Sequence, residues 1–198
     1  MILPIIAYGD PVLRKKGVEI DKSYPGLKEL IENMFETMYN SQGIGLAAPQ
    51  IGKAIRLFIV DASPFSEETD EEDKPVPVPK YAHLKEFKKV FINAQIINEE
   101  GEEWKFNEGC LSIPKIREDV LRKPKIKIKY LDENFKKQEE EFDDIVARII
   151  QHEYDHIEGK LFTDRINPLR KRLLKNKLLD ISKGNVDVSY KMKFPLRK

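Results

Sequence analysis

Cysteine and histidine are scarce in this chain of 198 residues, with one of the first and three of the second. A single cysteine excludes an internal disulfide, and a chain so poor in cysteine is expected in a reducing cytoplasm. Long apolar runs are missing as well. No stretch approaches the roughly 20 apolar residues that a membrane-spanning helix needs. The start, MILPIIAYGD, has neither a basic segment nor a small-residue cleavage site, so no signal peptide is read there. It is not an Arg-rich transit sequence either, and no internal repeat is found. Net charge is low at +1, but it is unevenly spread. From Arg165 onward eleven Lys and Arg face only Asp180 and Asp187, a balance of +9 that leaves −8 for the rest. An acidic body with a basic tail points to an anionic partner for the tail, or to a terminal helix whose outer side is simply solvated.

What is present is enough for one domain with a real core. Tyr24 to Asn40 has apolar residues at helical spacing (Leu27, Leu30, Ile31, Met34, Phe35, Met38), with Pro25 suited to a first turn. The segments 55–60, 90–98 and 102–109 have strand character. KIKIKYL (125–131) alternates Lys outward with Ile126, Ile128 and Tyr130 inward. A turn at Asp132 to Asn134 leads into a charged return strand ending at Phe142. Residues 62–80 mix acidic residues with alternating Pro and Val and are expected to form a surface loop. Asp143 and Asp144 open a second helix with the acidic start that the helix dipole favours, and Gly159 is a credible stop. A third helix is expected over Pro168 to Ile181, with Leu169, Leu173, Leu174 and Leu178 on one side. Residues 186–194 suit an edge strand. Strands and helices without regular βαβ alternation predict an α+β fold.

The segment QHEYDH, 151–156, carries the chemistry. On a helix, His152 and His156 stand one turn apart and point the same way, with Glu153 between them. That is the arrangement of two imidazole ligands beside a carboxylate that can move protons. A catalytic metal usually takes three protein ligands and keeps one position open. Cys110, in EGCLS, is the best third ligand, because a thiolate binds first-row metals well and the glycine lets backbone approach a cavity. His83 competes from the edge of the acidic loop. Asp155 is read as supporting a ligand from behind, although it and the other carboxylates stay open as ligands. A metalloprotease of the same helix type would need a downstream ligand, and no histidine follows His156. A metal that merely braces a binding module is the non-catalytic alternative, and Glu153 speaks against it.

GIGLAAPQ (43–50), EGCLS (108–112) and QHEYDH (151–156) occur in this order. Together they resemble the three motifs of the peptide deformylase family, and GDPVLRKK (9–16) is similar too. The likeness covers roughly residues 4 to 165. It implies antiparallel β-sheets packed around a central helix that carries the metal-binding segment. It implies Cys110, His152 and His156 as ligands of one divalent ion, Fe(II) in the cell, with Ni, Co or Zn in preparations. Glu153 becomes the general acid/base, and Gln50 with the backbone N–H of Leu111 the oxyanion donors. Ile44, Phe106, Ile145 and Ile149 match positions at the methionine pocket, Arg117 one near the peptide backbone, and Gly45 and Gly109 further substrate-binding positions. Arg148, one turn before His152, has no role in this reading beyond a salt bridge at the rim. The implied activity is removal of the formyl group from the N-terminal formylmethionine of newly made polypeptides. The expected organisation is a catalytic domain at 1–165, with the loop 62–87, and a basic helix/strand extension of the same domain at 166–198. The extension aligns with nothing in the family pattern, and its charge suggests contact with the ribosome.

Overall fold

The segment LFIVD has no polar residue before its last position, because both of its faces are covered. The computed structural model describes residues 1–67 and 80–195, and in it Leu57–Asp61 is strand β3, buried throughout. Phe58 and Val60 pack on one side with Ile145, Ile149 and Ile150. Leu57 and Ile59 pack on the other with Leu30, Met34 and Met38. This strand belongs to a five-stranded antiparallel sheet of order β2-β3-β4-β7-β8, built from Gly45–Ala47, Leu57–Asp61, Lys88–Glu100, Lys125–Leu131 and Lys137–Asp143. Helix α1 (Leu27–Asn40) covers one face and helix α2 (Asp144–Ile157) the other. In β7, Ile126, Ile128 and Tyr130 point inward and are buried. On the outer side its lysines meet the glutamates of β8, as in Lys125–Glu141 and Lys127–Glu139.

The remaining strands are paired separately. β5 (Trp104–Cys110) and β6 (Ile113–Arg122) form an antiparallel hairpin. β1 (Ile5–Ile6) pairs in parallel with β9 (Met192–Lys193), joining the two ends of the described chain. A third apolar cluster unites Leu13, Ile113, Val120 and Phe162 with Leu174, Leu178 and Ile181. Mixed helices and antiparallel sheets make the fold α+β.

Several expectations need correcting. The first helix starts at Leu27, because Gly26 adopts a left-handed φ of +68° and Pro25 lies in the turn before it. The strand expected from residue 102 begins at Trp104. Residues 113–122, not anticipated as a strand, are the whole of β6. The third helix is two: α3 (Pro168–Leu173) and α4 (Lys175–Lys183), broken at Leu174. Its leucine stripe divides accordingly. Leu174 and Leu178 are buried, while Leu169 and Leu173 are 65% and 64% exposed. The edge strand expected over 186–194 shrinks to two residues. In the expected loop, Ser63–Ser66 and Ala82–Leu84 form single 3₁₀ turns, and 68–79 lie outside the described residues.

Candidate metal centre and substrate cavity

Helix α2 is buried on nearly all sides, including Arg148, Gln151, Glu153, Asp155 and His156. Its length is set at one end by Asp144, which pairs with Lys80 and accepts from the Tyr81 hydroxyl at 3.0 Å. At the other end Gly159 takes a φ of +71°, where the carbonyl of Arg14 lies too close for a Cβ. His152 and His156 therefore project from the last turns of a rigid element, their ring centroids 5.2 Å apart.

Cys110, at the end of β5, comes to them from the hairpin. The thiol sulfur and the two imidazoles offer donor atoms that all lie within 4.8 Å of one another. Cys110 Sγ is 3.3 Å from His156 Nε2. His152 Nδ1 is 2.9 Å from Glu108 Oε2, which leaves Nε2 for the centre. Burial works against a thiolate at Cys110, yet His156 and His152 beside it bring its pKa down to about 5. Glu153 is buried, Oε2 has no hydrogen-bond partner, and burial pushes its carboxyl up to about 7 against the pull of the two histidines. One soft anionic donor, two imidazoles and an unpartnered carboxylate oxygen fit a four-coordinate ion with one open position. His83 is exposed on its 3₁₀ turn and takes no part in the cluster.

The carboxylate behind His152 is Glu108, not Asp155. Glu108 accepts from His152 and from three guanidinium nitrogens: Arg122 Nε at 2.7 Å, Arg122 Nη2 at 2.9 Å and Arg148 Nη1 at 2.9 Å. Burial opposes its charge, but Arg122 and His152 outweigh that and hold the carboxyl well below the ordinary range. A carboxylate on the far nitrogen of a ligand histidine fixes its tautomer and ring plane. Asp155 instead accepts from Arg122 at 2.7 Å and from Arg165 at 2.6 and 2.7 Å, touching neither histidine. Arg148 is not at a rim. It is 2% exposed, bonds the carbonyls of Trp104 and Val120, and lies 4.5 Å over the Trp104 ring. Glu108 stands two residues before Cys110 in EGCLS, and that proximity was the one available signal.

A cavity of about 450 Å³ opens beside this cluster. Ile44, Gly45, Phe106, Gly109, Arg117, Ile145 and Ile149 all line it, with Gln50, Leu111 and Glu153. Gln50 is buried, and its Oε1 accepts from the Ala47 N–H at 2.9 Å. Its Nε2 is thereby the end turned toward Cys110 and Ser112, at 3.4 Å from each. Arg117 is held on the hairpin by Asn107, donating to its Oδ1 at 2.9 Å and its carbonyl at 2.5 Å. Val188, Ser189 and Tyr190 also line the cavity, which nothing in the sequence signalled.

The polypeptide deformylase family model matches residues 2–172. A peptide deformylase of Christiangramia forsetii is 60% identical over 200 residues, spanning 100% of this chain and 98% of the relative. One of Flavobacterium johnsoniae is 59% identical over 198 residues, spanning 100% and 98%. Among solved structures, the peptide deformylase of Legionella pneumophila superposes with a TM-score of 0.76 at 34% identity, covering 93% of this chain and 98% of that one. A family match over most of the length, and relatives this similar from end to end, show that the chain belongs to the polypeptide deformylase family.

Proposed function

We propose that the cavity between α2 and the β5–β6 hairpin is where this deformylase hydrolyses the formyl amide of an N-terminal formylmethionine, releasing formate from a newly made polypeptide. The observation that supports these residue roles is the meeting of Cys110, His152 and His156 within 4.8 Å beside a Glu153 whose Oε2 is unpartnered. Those three residues would hold one divalent ion, Fe(II) in the cell, with Ni, Co or Zn suiting the same donors. Such an ion, when bound, lowers the pKa of water and polarises a carbonyl.

The rest is the work of this chain's own residues. Glu153 accepts the proton of the attacking water and delivers it to the amine nitrogen as the C–N bond breaks. The formyl oxygen gains negative charge in between. Gln50 Nε2 and the Leu111 N–H donate to that oxygen, and Gln50 is oriented beforehand by its bond to Ala47. The apolar lining of Ile44, Phe106, Ile145 and Ile149 receives the methionine side chain, whose burial is worth about 1.5–3 kcal/mol. Arg117 stands at the cavity edge, where the following peptide would leave.

Residues 1–165 form the catalytic body in this reading, and 166–198 extend the same domain. The packing of Leu174, Leu178 and Ile181 against Leu13 and Val120 supports one domain. Among the described residues no helix is long and apolar enough to cross a membrane, and the single cysteine has no intrachain partner. We place the protein in the cytoplasm, where formylated chains emerge, with its basic extension against the ribosome.

The deciding experiment compares metal-loaded wild type with Glu153→Ala, following formate release from a formyl-Met peptide. The variant is expected to keep its metal and lose about 10²–10⁴ in rate. Equal rates would remove the proposal. A Cys110→Ser variant that retained metal as tightly as wild type would remove Cys110 from the ligand set.

A further inference from the structure

The turn that carries the Leu111 N–H is only two residues long. β5 and β6 close with Cys110 opposite Ile113, so Leu111 and Ser112 form the loop. The register shifts between Gly109 and Cys110, so the strand ladder is broken where it would lock the turn. Both carbonyls of the turn are held from outside instead. The Tyr8 N–H donates to Ser112 O at 2.8 Å. The Tyr190 hydroxyl donates to Leu111 O at 2.8 Å.

These two donors come from opposite ends of the chain, and the ends are joined. β1 pairs with β9, with Ile5 N donating to Lys191 O and Ala7 N to Lys193 O, both at 2.9 Å. Tyr190 thus reaches the turn from an anchored segment, and its ring packs with Leu111 on the cluster of Met38 and Leu46. Val188, Ser189 and Tyr190 share one cavity with Gly109 and Cys110. All three lie beyond residue 172, where the family match ends.

We propose that Tyr190 is a positioning residue for the reaction: its hydroxyl fixes the Leu111–Ser112 turn so that the Leu111 N–H stays aimed at the oxygen that gains charge. The C-terminal segment is then one wall of the catalytic cavity. This inference rests on the reading of Leu111 as an oxyanion donor. A donor of that kind is effective only when its position is fixed before the charge appears. Removing the hydroxyl leaves the ring packed but frees the Leu111 carbonyl, and with it the turn. Because the charge is greatest in the transition state, the loss falls on kcat rather than on KM.

The test is Tyr190→Phe in the full, metal-loaded chain. It is read by steady-state formate release from a formyl-Met peptide, by metal content, by thermal midpoint and by hydrogen exchange at the turn amides. We expect kcat to fall about five- to tenfold, the effect of one lost hydrogen bond. KM stays within about twofold, metal content is unchanged, and the amides of Leu111 and Ser112 exchange faster. A kcat within twofold of wild type overturns the inference, whether or not the thermal midpoint drops. So does a kcat loss matched by loss of metal. Glu153→Ala in the same assay separates the two levels. If it is as active as wild type, the proposed function fails. If it is inactive while Tyr190→Phe keeps its kcat, only the role of Tyr190 fails.

Discussion

Gly45 shows how tightly the backbone is drawn against Glu153, the proposed general acid/base. A Cβ there would lie 2.5 Å from Glu153 Oε1 and 2.8 Å from both Cδ and Cγ. The whole end of the Glu153 side chain would have to move from the position it holds at the cavity wall. Gly45→Ala is therefore expected to lower kcat by about tenfold or more, because misplacing a reacting group by a fraction of an ångström is costly. None of the three proposed ligands is among the atoms nearest that Cβ, and they should hold metal as before. Steady-state kinetics beside metal analysis checks it, and an unchanged kcat would mean that Glu153 has room the structure denies it. At this scale the sequence was informative where chemistry is written in local spacing. His152, Glu153 and His156 announce themselves on one helix, and so does the scarcity of other ligands. Glu108 did not, because its importance lies in Arg122, Arg148 and His152, which converge on it from other elements. Asp155 sits in the sequence where a supporting carboxylate would be expected, yet its side chain turns to arginines.

Elements were readable where one periodicity ran undisturbed. The β7 strand alternates cleanly, and α1 has a full apolar stripe. β6 alternates in burial from Pro114 onward, but Glu118 and Arg122 occupy two of its inward positions. Each is buried through an ion pair, Glu118 with Arg170 and Arg122 with Glu108, so a charge pattern concealed a strand. The C-terminal helices misled in the opposite way. Four leucines at helical spacing suggested one continuous apolar side, but the chain turns at Leu174 and only the second pair reaches the core. This division has a measurable consequence. Leu178→Ala should cost about 2–5 kcal/mol, the range for emptying a buried leucine site. A double Leu169→Gln, Leu173→Gln variant should stay within about 0.5 kcal/mol of wild type, since both side chains are already in water. Urea midpoints of the two variants give the comparison, and equal losses would restore the single helix.

At the scale of the whole molecule, the positive excess of the last segment is partly neutralised by the fold and partly left at the surface. Several positive charges of the last segment are spent internally: Arg165 on Asp155, Arg170 on Glu118 and Lys171 on Asp164. Arg172, Lys175 and Lys177 remain exposed on α3 and α4, alongside the exposed Leu169 and Leu173. A surface with several cations of one sign attracts a polyanion by displacing its counterions, and such binding weakens steeply with salt. In the proposed contact with the ribosome, ribosomal RNA is that polyanion. Reversing Arg172, Lys175 and Lys177 to Glu is therefore expected to weaken co-sedimentation with ribosomes and to flatten its dependence on salt. Hydrolysis of a free formyl-Met peptide should be untouched, because none of the three lines the cavity. Deleting the extension would be a poorer experiment, because Leu174, Leu178 and Ile181 are core residues and β9 is paired with β1. Charge reversal leaves those contacts in place, so a variant that still binds ribosomes with the wild-type salt slope would show that these cations only solvate the helices.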